Sequence, residues 1–325
     1  MNAPQHLVYC PRQTPICLVT SGVLDSIGHT PLLRLERASA ETACNILAKA
    51  EHLNPGGSLK DRIARHMVLE AEKRGDLRPG STIMEVTSGN MGIALAMVGA
   101  MRHYKVVIIM PKTVSVERRN MIESFGAELE FLDKVDDIRS ALQKTEEIAA
   151  ERSDIFLPRQ FANPDNIEVH RTTTGPEILR QLDEEIDAFV MGVGTGGTLM
   201  GVGRMLRKAG SRARVVAVEP DESAVMSGGT PGCHGIQGLA DGFIPDLVNP
   251  DEIDQVVRIR TQDAIDAAQR LGSDEGLLVG ISSGANVLAA MSVAEELGPG
   301  HTIVTVLCDR GERYLSMNGQ QRIIS

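Results

Sequence analysis

Four glycine-containing turns, each set between a short apolar run and a run with helical spacing, leave this chain few folds to choose from. The first is Asn54-Pro55-Gly56-Gly57-Ser58-Leu59-Lys60-Asp61-Arg62. It follows a strand expected over Ile46 to Ala50 and precedes a helical stripe, Ile63, Ala64, Met67, Val68 and Ala71, that stops at Gly75. The second, Thr87-Ser88-Gly89-Asn90-Met91-Gly92, follows the run Thr82 to Val86, and the third, Gly192-Val193-Gly194-Thr195-Gly196-Gly197-Thr198, follows Ala188 to Met191. The fourth, Gly280-Ile281-Ser282-Ser283-Gly284, opens a helix expected over Ala285 to Glu296. Strands that alternate with helices in this way predict right-handed crossovers and parallel sheets covered on both faces. Ligands of such open sheets sit at the carboxyl ends of the strands, where the four turns converge.

Taken in order, Met1 to Ser21 carries Pro4, Pro11 and Pro15, lacks a charged start and does not read as a signal peptide. From Val23 to Glu51 we expect a short helix or turn, the Thr30-Pro31 punctuation, and strands over Leu32 to Leu35 and Ile46 to Ala50. After Lys60 the pattern predicts strand Thr82 to Val86, helix Asn90 to Arg102, strand Val106 to Met110, helix Val116 to Phe125, strand Glu128 to Leu132 and a charged helix, Asp136 to Arg152. The stretch Leu157 to Pro164 marks a return to the other half of the molecule. A helix ending near Asp183, strand Val215 to Glu219, a long glycine-rich loop over Pro220 to Pro250, strand Gln255 to Ile259, two more helices and strand Thr302 to Leu307 complete the expectation. The fold class is therefore α/β with two open parallel-sheet domains. Residues 23–55 plus 165–325 form the larger, 56–164 the smaller and mobile one, and 1–22 an N-terminal extension.

Composition narrows the function classes. A chain of 325 residues, 42% hydrophobic and 23% charged, has material for two full cores. With 33 basic against 43 acidic residues the net charge is −10, which works against nucleic acid as a partner. Tryptophan is absent and aromatics are 3%, so stacking platforms are missing as well. The longest apolar runs, such as Ile93 to Met101, are too short to cross a bilayer, so no membrane partner is expected. Cys10, Cys17, Cys44, Cys233 and Cys308 are odd in number and never spaced C-x-x-C, which suggests neither a disulfide framework nor zinc and fits a reducing cytoplasm. His234 stands beside Cys233, but adjacent residues rarely ligate one metal, and none is expected.

The chemistry is concentrated at the turns. Lys60 falls at a loop-to-helix junction, with Ser58 and Asp61 spaced as a capping box. A lysine among the partial positive charges of a first helical turn is disfavoured as a cation, and its amine can form an imine with an aldehyde. On spacing alone the same stretch also reads as a glycine turn with a solvated lysine. Together with Ile27-Gly28-His29-Thr30-Pro31-Leu32 and Gly311-Glu312-Arg313-Tyr314-Leu315-Ser316, however, the four motifs resemble one family over nearly the whole chain. It is the cysteine synthase branch (O-acetylserine sulfhydrylase, cystathionine β-synthase, β-cyanoalanine synthase) of the fold-type II pyridoxal-phosphate enzymes. His29 replaces the asparagine usual there.

The resemblance implies pyridoxal 5′-phosphate as cofactor, held by Lys60 as an internal aldimine, with the displaced lysine then removing the substrate α-proton. It implies that Gly194, Thr195, Gly196, Gly197 and Thr198 cradle the phosphate, that Asn90 bonds the ring hydroxyl, and that Ser283, ahead of Ser282, meets the pyridine nitrogen. Thr87, Ser88, Asn90, Met91 and Gln160 would hold the substrate and its α-carboxylate, while the Gly235 to Leu239 stretch closes over it. The hydroxyls taken singly read as helix caps. A homodimer is implied too.

Two other readings compete. Gly192-x-Gly194-x-x-Gly197 with Glu219 one strand later matches a dinucleotide fingerprint. Yet such glycines let backbone amides approach any phosphate, and one phosphate on an aldehyde cofactor also accounts for Lys60 and the other loops. A catalytically silent relative is opposed by the intact Lys60, Asn90, Gln160 and Ser283. What remains is β-replacement on an O-activated serine, through an aminoacrylate to which a small nucleophile adds. Met91 and Met191 stand where cysteine synthases usually carry threonine and a small polar residue, as in β-cyanoalanine synthases, whereas Thr195 resembles the cysteine synthases. Two methionines make a drier pocket. The flap near Gly235 and Ile236 lacks an arginine suited to a phosphate leaving group, so O-acetylserine with sulfide leads, with cysteine and cyanide next.

Overall fold

The apolar runs beside the glycine turns are strands, and they sort into two sheets. The computed structural model describes residues 22–132, 138–240 and 242–317. The extension expected over residues 1–22 lies, but for Gly22, outside the described residues, as does the start of the helix expected from Asp136. The larger sheet has the order β1 (Leu32–Arg34), β2 (Asn45–Lys49), β10 (Thr302–Val306), β7 (Ala188–Gly192), β8 (Arg214–Pro220), β9 (Gln255–Ile259). The smaller has the order β5 (Glu128–Leu132), β4 (Lys105–Pro111), β3 (Thr82–Val86), β6 (Ile155–Phe156).

Among the described residues every pairing between these strands is parallel except β1 with β2, which is antiparallel. Only residues 35–44, including the short helix α1 (Glu36–Thr42), separate these two strands. A parallel crossover needs a dozen residues or more, so the chain returns antiparallel at this one edge of the parallel sheets. In β3, β7 and β10 all five residues are buried, as strands covered on both faces require. The edge strands β5 and β9 are only partly buried.

Small residues set the helix distances. On α8 (Gly197–Lys208), side chains at Gly197 or Gly201 would run into Asn166 or the backbone of Ile167, so α6 (Asp165–Val169) and the π-helical turn His170–Thr174 lie close against it. A side chain at Gly284, in α10 (Ile281–Leu297), would meet the Ala264 carbonyl of α9 (Thr261–Glu275). The remaining helices are α2 (Lys60–Arg74), α3 (Asn90–Arg102), α4 (Val116–Ser124), α5 (Ile138–Glu151) and α7 (Gly175–Gln181). α1, β6 and the π-helical turn are too short to announce themselves by periodicity. No helix among the described residues is long and apolar enough to cross a membrane.

Candidate active site

Lys60 is the first residue of α2, and the loop before it is stitched to the segment leaving β10. Leu59 N donates to Cys308 O at 2.9 Å, Arg310 N to Gly57 O at 3.1 Å, and Arg313 Nη2 to Gly56 O. The expected capping box is half formed. Ser58 Oγ accepts from Lys60 N at 3.2 Å, but Asp61 turns back to accept from Gly56 N at 2.6 Å. Asp61 is fully buried, and burial pushes its carboxyl up to about 7 even against that bond.

Beneath the loop lies a buried ionic network. Arg62 forks onto Glu51 (2.7 and 2.8 Å) and onto Glu177 (2.7 and 2.7 Å), and Lys49 pairs with Glu177 at 2.8 Å. Asn54, at the start of the loop, donates to Glu51 at 2.8 Å and accepts from Gly28 N at 2.8 Å. Burial by itself raises the Glu177 carboxyl, but Arg62 and Lys49 outweigh it and hold it at about 2. Two cations against two anions make the cluster neutral, and the paired forks engage both carboxylates.

Lys60 lines a cleft walled by loops that follow strands of both sheets. Thr87, Ser88, Asn90, Met91, Gln160, Met191, Gly194, Thr195, Gly196 and Thr198 all line it. The Thr87–Met91 turn depends on Gly89 at φ 140°, a conformation closed to other residues, and Thr87 Oγ1 accepts from Gly89 N at 3.2 Å. Gln160 is buried and donates to Val86 O at 3.3 Å, which ties it to the strand feeding that turn. Across the cleft, Gly196 is at φ 83°, and a side chain on Gly194 would collide with Gly238 O. The loop's amides therefore stay bare at the start of α8, a cradle that fits a phosphate. Behind it Asn166 Nδ2 donates to Thr195 Oγ1 at 2.9 Å, and Thr198 Oγ1 lies 3.2 Å from His170 Nε2. His170 is fully buried, which lowers its pKa to about 3 and keeps it neutral.

Three expected residues sit elsewhere than foreseen. Ser283 is fully buried, and its Oγ accepts from Cys308 N at 2.9 Å, whereas Ser282 lines the cleft. This reverses their ranking, because successive helical residues point about 100° apart and β10 takes the face that carries Ser283. Gly235 is turned away and donates to Thr261 Oγ1 at 2.9 Å, while Gln237, Gly238 and Leu239 of the same stretch do line the cleft. Gly197 lies in the cradle but packs on Asn166 and is not part of the cleft wall. The dinucleotide alternative loses its acidic residue. Glu219 is buried and accepts from Met226 N at 2.8 Å and Ser227 N at 3.1 Å.

Sequence reasoning missed Arg118 and Tyr314 as cleft residues. Arg118, on α4, is buried, stacks 4.4 Å over the Tyr314 ring, and donates to Ser88 O at 3.3 Å and to Gln237 Oε1. It joins the turn, the flap and the chain after β10. Between Glu117 and Arg119 it reads in the sequence as one more residue of a solvated face. Cys308 also lines the cleft, and burial pushes its thiol up to about 12, so it is protonated and inert as a nucleophile.

A lysine amine, a glycine loop at a helix start and the Thr87–Met91 turn in one cleft match an enzyme of the fold-type II pyridoxal-phosphate class. Residues 23–309 match the family described as pyridoxal-phosphate dependent enzyme, and the chain belongs to that family. It is 48% identical over 291 residues to a cysteine synthase of Staphylococcus aureus, covering 89% of this chain and 94% of the relative. Among solved structures it is similar to the cysteine synthase of Entamoeba histolytica (TM-score 0.89, 39% identity, 95% and 93% coverage). It is also similar to an O-ureido-L-serine synthase (TM-score 0.88, 44% identity, 92% and 94% coverage).

Proposed function

We propose that this enzyme makes L-cysteine by β-replacement, with O-acetyl-L-serine as the activated serine and sulfide as the nucleophile. The observation that carries this reading is the placement of Lys60 in one cleft with the Thr87–Met91 turn and the Gly194–Thr198 cradle. Bound pyridoxal phosphate supplies the electron sink for an α-carbanion. Lys60 holds the cofactor and moves the α-proton. The amides of Gly194 to Thr198 would take the phosphate, Ser282 would serve the ring nitrogen, and Asn90 would serve the ring oxygen. Thr87, Ser88 and Gln160 bind the α-carboxylate, and the Gly80 to Asn163 region closes over the site. A homodimer and a cytoplasmic setting belong to the same reading and rest on the resemblance and the cysteine usage.

Gln160→Ala removes one charge-assisted donor from the carboxylate, and kcat/KM for the amino-acid substrate should fall by ~1.5–3 kcal/mol, about 10- to 150-fold. A change within a factor of two would move the carboxylate pocket elsewhere.

A second reading is favoured by Met91 and Met191, buried thioether residues that both line the cleft wall. Such a wall suits cyanide as well as sulfide. Steady-state rates with the two substrate pairs decide between them. Sulfide with O-acetylserine is expected to exceed cyanide with cysteine in kcat/KM, and the opposite order would make β-cyanoalanine formation the primary activity.

A further inference from the structure

Asn90 lines the cleft, and both ends of its amide are already engaged. Its Nδ2 donates to Asp309 Oδ2 at 2.6 Å, and its Oδ1 accepts from Arg313 Nη1 at 2.6 Å. A guanidinium only donates, and Asp309 Oδ2 accepts from both Asn90 and Tyr314, so turning the amide over would set like against like on both sides. What the amide keeps for the cleft is its second Nδ2–H. We propose that Asp309, with Arg313, is a positioning residue that locks Asn90 as a donor toward the cofactor, so that the ring oxygen it meets is held in its deprotonated form.

Asp309 is built for a fixed post. It is fully buried, its backbone O accepts from Gly280 N at 3.0 Å, and its main chain bridges to Ser58 beside Lys60. Tyr314 Oη donates to the same Oδ2 at 2.6 Å. The other oxygen, Oδ1, is buried without a partner among the described residues and lies against Gly280, where any side chain would collide with it. A buried, unpaired carboxylate oxygen is costly, and its retention points to a task other than packing. Asp309 follows β10 of the larger sheet and Asn90 opens α3 beside the smaller, so the bond spans the two halves at the floor of the cleft.

The proposal rests on the assignment of Asn90 to the cofactor ring, and a double-mutant cycle separates the two. The readouts are the dissociation constant for pyridoxal phosphate and the position and pH dependence of the visible band of the loaded protein. Asp309→Ser should weaken cofactor binding about ten-fold and shift the band, the effect of losing one hydrogen bond. In an Asn90→Ala background the same change should add little, because Asp309 acts through Asn90. Asp309→Asn, nearly the same shape, serves if the serine variant fails to fold; it should also move the band, since its amide can face Asn90 either way. An unmoved band, or effects of Asp309 and Asn90 that simply add, would overturn the proposal. Wild-type protein whose cofactor affinity and band are indifferent to Asn90→Ala would overturn the ring assignment beneath it.

Discussion

Lys60→Ala is expected to lower turnover at least about 1,000-fold while leaving the fold in place. Among the described residues lining the cleft, Lys60 supplies the one amine, and neither Arg118, whose guanidinium keeps its proton, nor the buried Cys308 thiol can take its place. A positioned base contributes about 10²- to 10⁴-fold, and the same side chain also anchors the cofactor, so the two losses fall together. The fold should tolerate the change because the loop is held by its backbone, through Leu59 to Cys308 and Arg310 to Gly57, and because Lys60 is only partly buried. Borohydride treatment of the loaded wild-type should fix the cofactor to the chain, and should not in the variant. Turnover within ten-fold of wild-type would remove Lys60 from its assigned role.

Arg62→Met should be the most destabilising single change in the loop's surroundings, by about 3–5 kcal/mol. The substitution keeps much of the volume but leaves Glu51 and Glu177, both buried, with Lys49 as their only remaining cation in the cluster. An uncompensated buried carboxylate must be desolvated or protonated, and either costs more than the original pair contributed. For a chain of this size the melting temperature should drop by roughly 5–10 °C. The pH dependence has a definite sign. In the wild-type the Glu177 carboxyl, held at about 2, contributes stability that is fully present above its unfolded pKa and is lost as pH falls through the folded value. Without Arg62 that contribution shrinks, so the variant's deficit should narrow on acidification toward pH 3. A melting temperature within 2 °C of wild-type would show the network to be dispensable.

Much of this was legible in the chain itself. Strands Thr82–Val86, Glu128–Leu132 and Gln255–Ile259 and helix Asn90–Arg102 have the bounds expected of them, because β-branched runs, glycine breaks and helical spacing are local signals. The convergence of Lys60, the Thr87–Met91 turn and the Gly194–Thr198 loop followed from one rule, that loops at the carboxyl ends of parallel strands share an edge. Direction of burial was not legible. Ser282 and Ser283 are chemically identical neighbours, and only the packing of β10 against α10 makes one a cleft residue and the other a partner for Cys308 N. Asp61 had the spacing of a cap, yet a close approach of Gly56 drew its carboxylate away. Arg118 and Asp309 belong to the site through Tyr314 and Asn90, contacts between residues far apart in sequence. Local preference determined which elements form and where the turns lie; which side chains meet was decided by tertiary packing, since that depends on the distances between elements and on nothing carried by either residue alone.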